Sequence, residues 1–460
     1  MTFKNYLNSS SKSTPDGMLS KVIKLGFPVA VQSALVAVLA MADVLMVSDF
    51  GNEATASVGI ASKWHFVAIM IMAGMASANG VLVAQYWGRN DRSSAKTITM
   101  LVMNCGAKIL VPVTLGITLF SGTIMMLQTT DLKVIELGST YLWYSFPVLI
   151  LTHLIIVSES ALRSTGDTLT PLYLGALTII VNIALNFWLI KGGFGVPAMG
   201  VAGAALATTI SRLLQVVFIF GFLYWRRHWL LTAETLTNSA KLWASYKHIA
   251  VPSTASAVVW AIGTLVYQMI FGHMGTTELA VFSMIGPFES LCYSLFFGIS
   301  VACSVLLGQS LGRDEFAEAF KMSKFFIKTV LVFGLCVGLM LLFAKDVILS
   351  GLNLTSAELY PLASPALTVL CCAIWLRMLN MIIINGILRA GGDNHFCLRM
   401  DFISMWMVGV PLTAFAAFIL DWDFKYVYML MLAEELVKFT LCFQRYLKRY
   451  WMNNLTLATA

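Results

Sequence analysis

Moved along itself by 224 positions without a gap, the chain lays residues 28–95 over residues 252–319. Pro28 falls on Pro252, Gly51 on Gly275 and Gly74 on Gly298. Gln85-Tyr86-Trp87-Gly88-Arg89 falls on Gln309-Ser310-Leu311-Gly312-Arg313. Further on, Leu162-Arg163-Ser164-Thr165-Gly166-Asp167 is echoed by Leu388-Arg389-Ala390-Gly391-Gly392-Asp393 at an offset of 226. Two apolar stretches share Leu and Ala by chance, but they rarely share glycine and polar positions in register. The chain is therefore built from two copies of one unit.

The repeat is set in a strongly apolar sequence. Of its 460 residues, 58% are hydrophobic and 12% charged, and the mean hydropathy is +0.81; a soluble domain is about 45–50% apolar and about 25% charged. The chain reads as an all-α integral membrane protein. Its apolar runs are continuous, not alternating as barrel strands require. They are long enough for twelve helices of about 20 residues, at 23–48, 57–86, 97–120, 134–157, 169–190, 200–225, 248–271, 279–307, 323–345, 359–386, 397–419 and 425–446.

Basic residues mark alternate connections, among them Arg89, Arg92 and Lys96, then Arg226 and Arg227, then Arg313, Lys321 and Lys324, and finally Arg445, Lys448 and Arg449. The other loops hold only Lys133, Lys191, Lys345 and Lys425. The positive-inside rule then puts both termini in the cytoplasm. The polar start of the chain runs into a long span and is no cleavable signal peptide. Scattered over short loops, the basic residues give no support to nucleic-acid binding. The eight cysteines lie in or at the ends of the spans without metal-binding spacing and read as small apolar filler.

The organisation that follows is a cytoplasmic segment 1–22, an amino lobe 23–225, a cytoplasmic linker 226–247, a carboxy lobe 248–446 and a cytoplasmic tail 447–460. Six spans per copy make the two lobes pseudo-symmetric about an axis along the membrane normal, with a central cavity between them. Pro28 and Pro252, in the first span of each lobe, free a carbonyl and permit a bend; Pro112, Pro147, Pro287 and Pro411 are placed similarly. Lys191-Gly192-Gly193-Phe194-Gly195-Val196-Pro197 is an outer turn.

A charge inside a span is costly and points to function. Asp43 lies in the outer half of the first span, and its mate in the second copy is Tyr267. A carboxylate in low dielectric takes up a proton or finds a cation, which is what a coupling site for H⁺ or Na⁺ must do; the structural alternative is a pair with a buried Lys. Asn182 and Asn186 share a face of the fifth span one turn apart, and Thr208 and Thr209 lie on the sixth. Their oxygens suit Na⁺, and the two asparagines suit interhelical hydrogen bonding equally well. Tyr141 and Tyr144 on the fourth span are positioned to close a network around Asp43. Lys63, His65, Glu289 and Arg377 are cavity candidates, Glu289 being the repeat mate of His65, and Lys108 is central in the third span. Near span ends such cations also simply snorkel. Glu159 and Arg163, one turn apart, read as a structural pair. No nucleophile, Walker or metalloprotease motif is present, so neither an enzyme nor an ATP-driven pump is indicated.

Taken together, these marks resemble the MATE family of multidrug and toxic-compound extrusion transporters over Pro28 to about Lys438. The specific ones are Pro28, Asp43, Ala84-Gln85-Tyr86-Trp87-Gly88, the Leu162–Asp167 turn and its echo at Leu388–Asp393. Asn182 to Asn186 adds to them, as do Phe194–Gly200 and Gly203–Thr208. The resemblance implies antiport of cationic, amphipathic drugs against H⁺ or Na⁺, without a cofactor, by a monomer in an inner membrane. It assigns ion coupling to Asp43, Asn182, Asn186, Thr208 and Tyr141, with Na⁺ held by the first four of these if it is the ion, and the bend to Pro28. Some members carry Asp where this chain has Asn186. Others carry carboxy-lobe acids near the places of Trp260 and Met378, where this chain has none. Only the first copy shows the buried acid, so ion coupling is placed in the amino lobe and the carboxy lobe mainly shapes the cavity. The alternatives are a lipid-linked oligosaccharide flippase, which would use Lys63, Lys108 and Arg377, an intramembrane lipid-modifying enzyme, and a non-transporting receptor or scaffold.

Overall fold

A computed structural model gives the fold and describes residues 15–48, 50–193, 195–234, 239–352 and 354–457. Phe194 of the outer turn lies outside these residues, as do positions 1–14, 235–238 and 458–460 of the expected terminal and linker segments.

The spans follow one another as expected. The first three are Pro15–Ser48, Asn52–Gly88 and Arg92–Leu119. The fourth is two helices, Leu132–Tyr144 and Val148–Ser164, meeting at 50°. Pro147 sits at that break, where a residue without an N–H cannot continue the ladder. Pro28, Pro112, Pro252 and Pro287, by contrast, lie inside unbroken helices. The fifth to ninth spans are Leu169–Lys191, Gly200–Trp225, Ala240–Met274, Thr276–Gly312 and Phe316–Phe343. The seventh thus begins inside the stretch read as a linker, which also holds the short helix Trp229–Thr232.

The tenth span, Tyr360–Met381, widens into a π-helical turn at Ile382–Leu388. The eleventh has a similar turn, Ile403–Gly409, between Asn394–Phe402 and Val410–Phe418. The twelfth is Phe424–Met431 with Ala433–Leu447. Ten of these elements are long and apolar enough to cross a membrane on their own, and the bent fourth makes eleven. The twelfth is set apart by Glu434, Glu435 and Lys438, all buried. Among the described residues there is no strand; a single bridge between Gly193 and Val196 closes the outer turn. All eight cysteines are free.

The halves meet mainly through the first span against the eighth and the second against the seventh, two pairings that the repeat exchanges. Missing side chains make both possible. A Cβ on Gly74 would stand 2.5 Å from the Thr254 Cα, and one on its mate Gly298 would stand 2.7 Å from the nitrogen of Ala30, the mate of Thr254. With no hydrophobic drive between helices in lipid, such close backbone packing is the main source of association. Each half also has its own apolar core, around Leu82, Ile98, Leu162 and Leu223 in the first and Cys303, Leu307, Ile383 and Ile387 in the second.

Candidate functional site

Asp43 hangs from the first span opposite the buried face of the fifth. The Asn186 amide donates to Asp43 Oδ1 at 2.5 Å and to Asn182 Oδ1 at 3.0 Å. Asn182 in turn donates to Ser211 Oγ at 2.9 Å, and Ser211 to the Thr208 carbonyl at 2.9 Å. Helical spacing puts the two asparagines one turn apart, so a single polar line connects the first, fifth and sixth spans. Asn186 is 1% exposed, and its Oδ1 is buried with no hydrogen-bond partner. A buried acceptor left empty beside a carboxylate is a costly arrangement that an arriving cation relieves.

Not every expected member joins this line. Thr208 spends its hydroxyl on the Ala204 carbonyl of its own helix at 3.0 Å, and Thr209 bonds Tyr144 O and Ala205 O. Tyr141 is buried within electrostatic reach of Asp43, its ring centroid 6.0 Å from that of His65. His65 Nε2 lies 3.5 Å from Ser145 Oγ. Lys63 and Lys108 are exposed. Arg212 on the sixth span, a residue that spacing along the chain does not single out, lies within reach of both Asp43 and Glu159.

The Glu159–Arg163 pair forms at 2.7 Å and is the centre of a larger network. Gln32 of the first span donates to Glu159 Oε1 at 2.9 Å and accepts from Arg163 at 2.8 Å. Gln215 donates to the same carboxylate at 3.3 Å and accepts from Arg212 at 3.0 Å. The first, fourth and sixth spans are thereby tied below Asp43.

The carboxy half corrects one expectation, since buried acid is not confined to the first copy. Arg377 pairs with Glu289 and, at 3.4 Å, with Glu435. Lys438 stands 3.8 Å from Glu434 and 4.0 Å from Glu435. Asn380 donates to Glu435 Oε2 at 2.7 Å, Tyr293 to Glu289 Oε1 at 2.6 Å and Tyr267 to Glu434 Oε2 at 2.6 Å. Tyr267 is the repeat mate of Asp43, and at the 226 offset Glu434 matches Thr208 and Lys438 matches Arg212. Both halves place a carboxylate here, on the first span in one copy and on the last in the other. His65 and its mate Glu289 stay in their own halves. The visible signal for the missed acids was two adjacent glutamates inside an apolar run.

The sequence model of the MatE family matches residues 28–188 and 252–415, stretches that start on the two repeat-related prolines. Among relatives, "Uncharacterized transporter YisQ" of Bacillus subtilis is 24% identical over 96% of this chain and 97% of its own. "Probable multidrug resistance protein NorM" of Thermotoga maritima is 26% identical over 89% of this chain and 87% of its own. Among solved structures, a mutant of the Vibrio cholerae MATE transporter VcmN superposes with a TM-score of 0.87, at 17% identity, covering 96% of this chain and 99% of that one.

Proposed function

The chain belongs to the MatE family, whose members are transporters, and we propose that it is a secondary active multidrug efflux antiporter coupled to H⁺ or Na⁺ through Asp43. The observation that carries this reading is the partly buried Asp43–Asn186 hydrogen bond beside the unpartnered, buried Asn186 Oδ1. A proton on Asp43 removes a charge from a low-dielectric site, while Na⁺ would take oxygens from Asp43, Asn186 and Asn182. Either event changes what the first span binds on the fifth. Because that span also carries Pro28 and packs along the eighth, rearranging it alters the contact between halves. This is the differential interaction that alternating access requires.

In this reading the halves 23–225 and 248–446 are the moving lobes, joined by 226–247. Cationic, amphipathic drugs bind between them. The protein acts as a monomer in an inner membrane, with the basic ends of the spans and both termini in the cytoplasm.

The test is Asp43→Asn, assayed by drug susceptibility in an efflux-deficient host and by flux in proteoliposomes with independently set pH and Na⁺ gradients. Efflux and its gradient dependence should both be lost. If both survive intact, the proposal is wrong.

A further inference from the structure

At the basic end of the molecule the two repeat motifs interlock reciprocally. Gln85 Nε2 donates to the Ala390 carbonyl at 2.9 Å, and its mate Gln309 donates to the carbonyl of Ser164, the mate of Ala390, at 3.0 Å. Each bond crosses from one half to the other, so together they form a latch that obeys the internal symmetry. Separating the halves at this end breaks both.

The symmetry is then broken on one side only. The last helix ends at Leu447, and Arg449, at φ 58°, turns the chain back toward the latch. Trp451 is fully buried, and Gly391 admits it: a Cβ there would stand 1.5 Å from the Trp451 carbonyl oxygen. Asn453 donates to the Gly391 carbonyl at 3.2 Å, and Arg445 holds Asp393 through two bonds of 2.6 and 3.0 Å. The Asn454 amide donates to Asp314 Oδ1 at 2.8 Å and to the Gly312 carbonyl at 3.4 Å. All of these attachments are to the carboxy half. The same short stretch, Trp451–Thr456, also reaches the amino half. The Leu455 N–H donates to Gln85 Oε1 at 2.7 Å, Gln85 Nε2 reaches the Asn453 carbonyl at 3.3 Å, and Arg89 donates to Thr456 Oγ1 at 3.2 Å. Gln309 makes no corresponding bond with the stretch that follows the sixth span among the described residues.

We propose that residues Trp451–Thr456 are a clasp over this latch, a gate element that must release one half before the molecule opens at its basic end. It lies outside the transport path and takes no part in ion binding. Its role is to set how often that end opens, and hence how readily substrate enters from the proposed cytoplasmic side. This rests on the alternating-access reading, since a clasp matters only if the halves separate here. A ligand or modification that drew the segment away would speed opening without touching Asp43.

The experiment places a cysteine at Ser164, a buried residue whose main-chain carbonyl is part of the latch, in the full chain reconstituted into liposomes. Its labelling by a membrane-impermeant maleimide is followed without drug or ion gradient, with modified peptides identified by mass. Asn454→Ala removes the bonds to Gly312 and Asp314, and Leu455→Pro removes the N–H given to Gln85. Each should raise the labelling rate about tenfold, the size expected from losing one or two hydrogen bonds at a buried junction. Gln309→Ala should raise it too, because it breaks the latch itself. Cys303, fully buried in the eighth span, should stay unlabelled, which separates opening from unfolding. An unchanged rate in both clasp variants, alongside a raised rate in Gln309→Ala, overturns the proposal. Because labelling needs no transport, this result is independent of the outcome of Asp43→Asn.

Discussion

Gly88 and Gln309 meet across the two halves so closely that a Cβ on Gly88 would stand 2.1 Å from the Gln309 carbonyl oxygen. The mirror contact is as tight: a Cβ on Gly312 would stand 2.0 Å from the carbonyl oxygen of Gln85. Only a residue without a side chain lets two backbones approach this far. The glycines of the two Gln-x-x-Gly-Arg turns are thus what allows the latch to close.

It follows that Gly88→Ala and Gly312→Ala each wedge the halves apart at their basic end. Overpacking of this kind costs about 1–3 kcal/mol, and here it falls on the closed arrangement alone, so the open one gains by about fivefold to a hundredfold. The mirror relation predicts similar effects for the two variants. Spin labels on the exposed Arg92 and Glu315 would report the change as a longer-distance population. Distance distributions that match the parent protein would count against the latch.

Around Asp43 the geometry ranks three neighbours that the sequence treats alike. Asn186 touches the carboxylate, Asn182 is linked to it only through Asn186 and otherwise bonds Ser211, and the Thr208 hydroxyl is committed to its own helix. Asn186→Ala should therefore reduce ion-coupled efflux about tenfold or more, the cost of leaving a buried carboxylate oxygen without its donor. Asn182→Ala should have a smaller effect, and Thr208→Ala should stay close to the parent. Initial rates in proteoliposomes under a fixed gradient measure the order, and a Thr208→Ala effect equal to that of Asn186→Ala would contradict it.

Much of this arrangement was legible from sequence because it depends on spacing along one chain. The repeat register named the turns that interlock, and helical spacing put Asn182 and Asn186 on one face. Asp43 stood out because charge is rare inside a span. Other features depend on which helices pack together, and spacing cannot report that. Gln32 and Arg212 became site neighbours only when the first, fourth and sixth spans closed around Glu159. The π-helical turns at Ile382–Leu388 and Ile403–Gly409 shift the faces of the tenth and eleventh spans, and the apolar pattern there gives no hint of them. Glu434 became the partner of Tyr267 for the same reason: tertiary packing, rather than the repeat, brings a carboxylate to that position.

The carboxy-half cluster makes a stability prediction. Arg377 stands between Glu289 and Glu435, with both carboxylates largely out of solvent. Removing one member of a buried pair strands its partner, at a cost of about 3–5 kcal/mol. Arg377→Met should lower the unfolding temperature in detergent sharply, and adding Glu289→Gln should restore part of the loss by removing one stranded charge. If the double variant melts below the single one, the cluster is not held together in this way.

The two halves also differ in how a repeat-related arginine is used. Arg163 bonds Gln32 at 2.8 Å and Glu159 at 2.7 Å; its mate Arg389 bonds Ser256 at 2.7 Å, where Ser256 is the mate of Gln32, and lies 3.5 Å from Asp401. Each arginine ties the first span of its half to the turn that enters the latch. The acids they serve differ in burial: the Glu159 side chain is 8% exposed and that of Asp401 15%. Arg163→Ala leaves Glu159 with only the neutral amides of Gln32 and Gln215 as bonded partners, and Arg212 further off. The expected loss is about 3–5 kcal/mol. Arg389→Ala leaves a more accessible carboxylate that keeps the Ser256 hydroxyl, for a loss of about 1–3 kcal/mol. Thermal unfolding of the two variants, side by side in one detergent, measures the difference. Equal losses would mean that the repeat makes the two arginines equivalent despite their different acids; a larger loss at Arg163 would show that burial of the acid, more than the shared scaffold, sets what each arginine contributes.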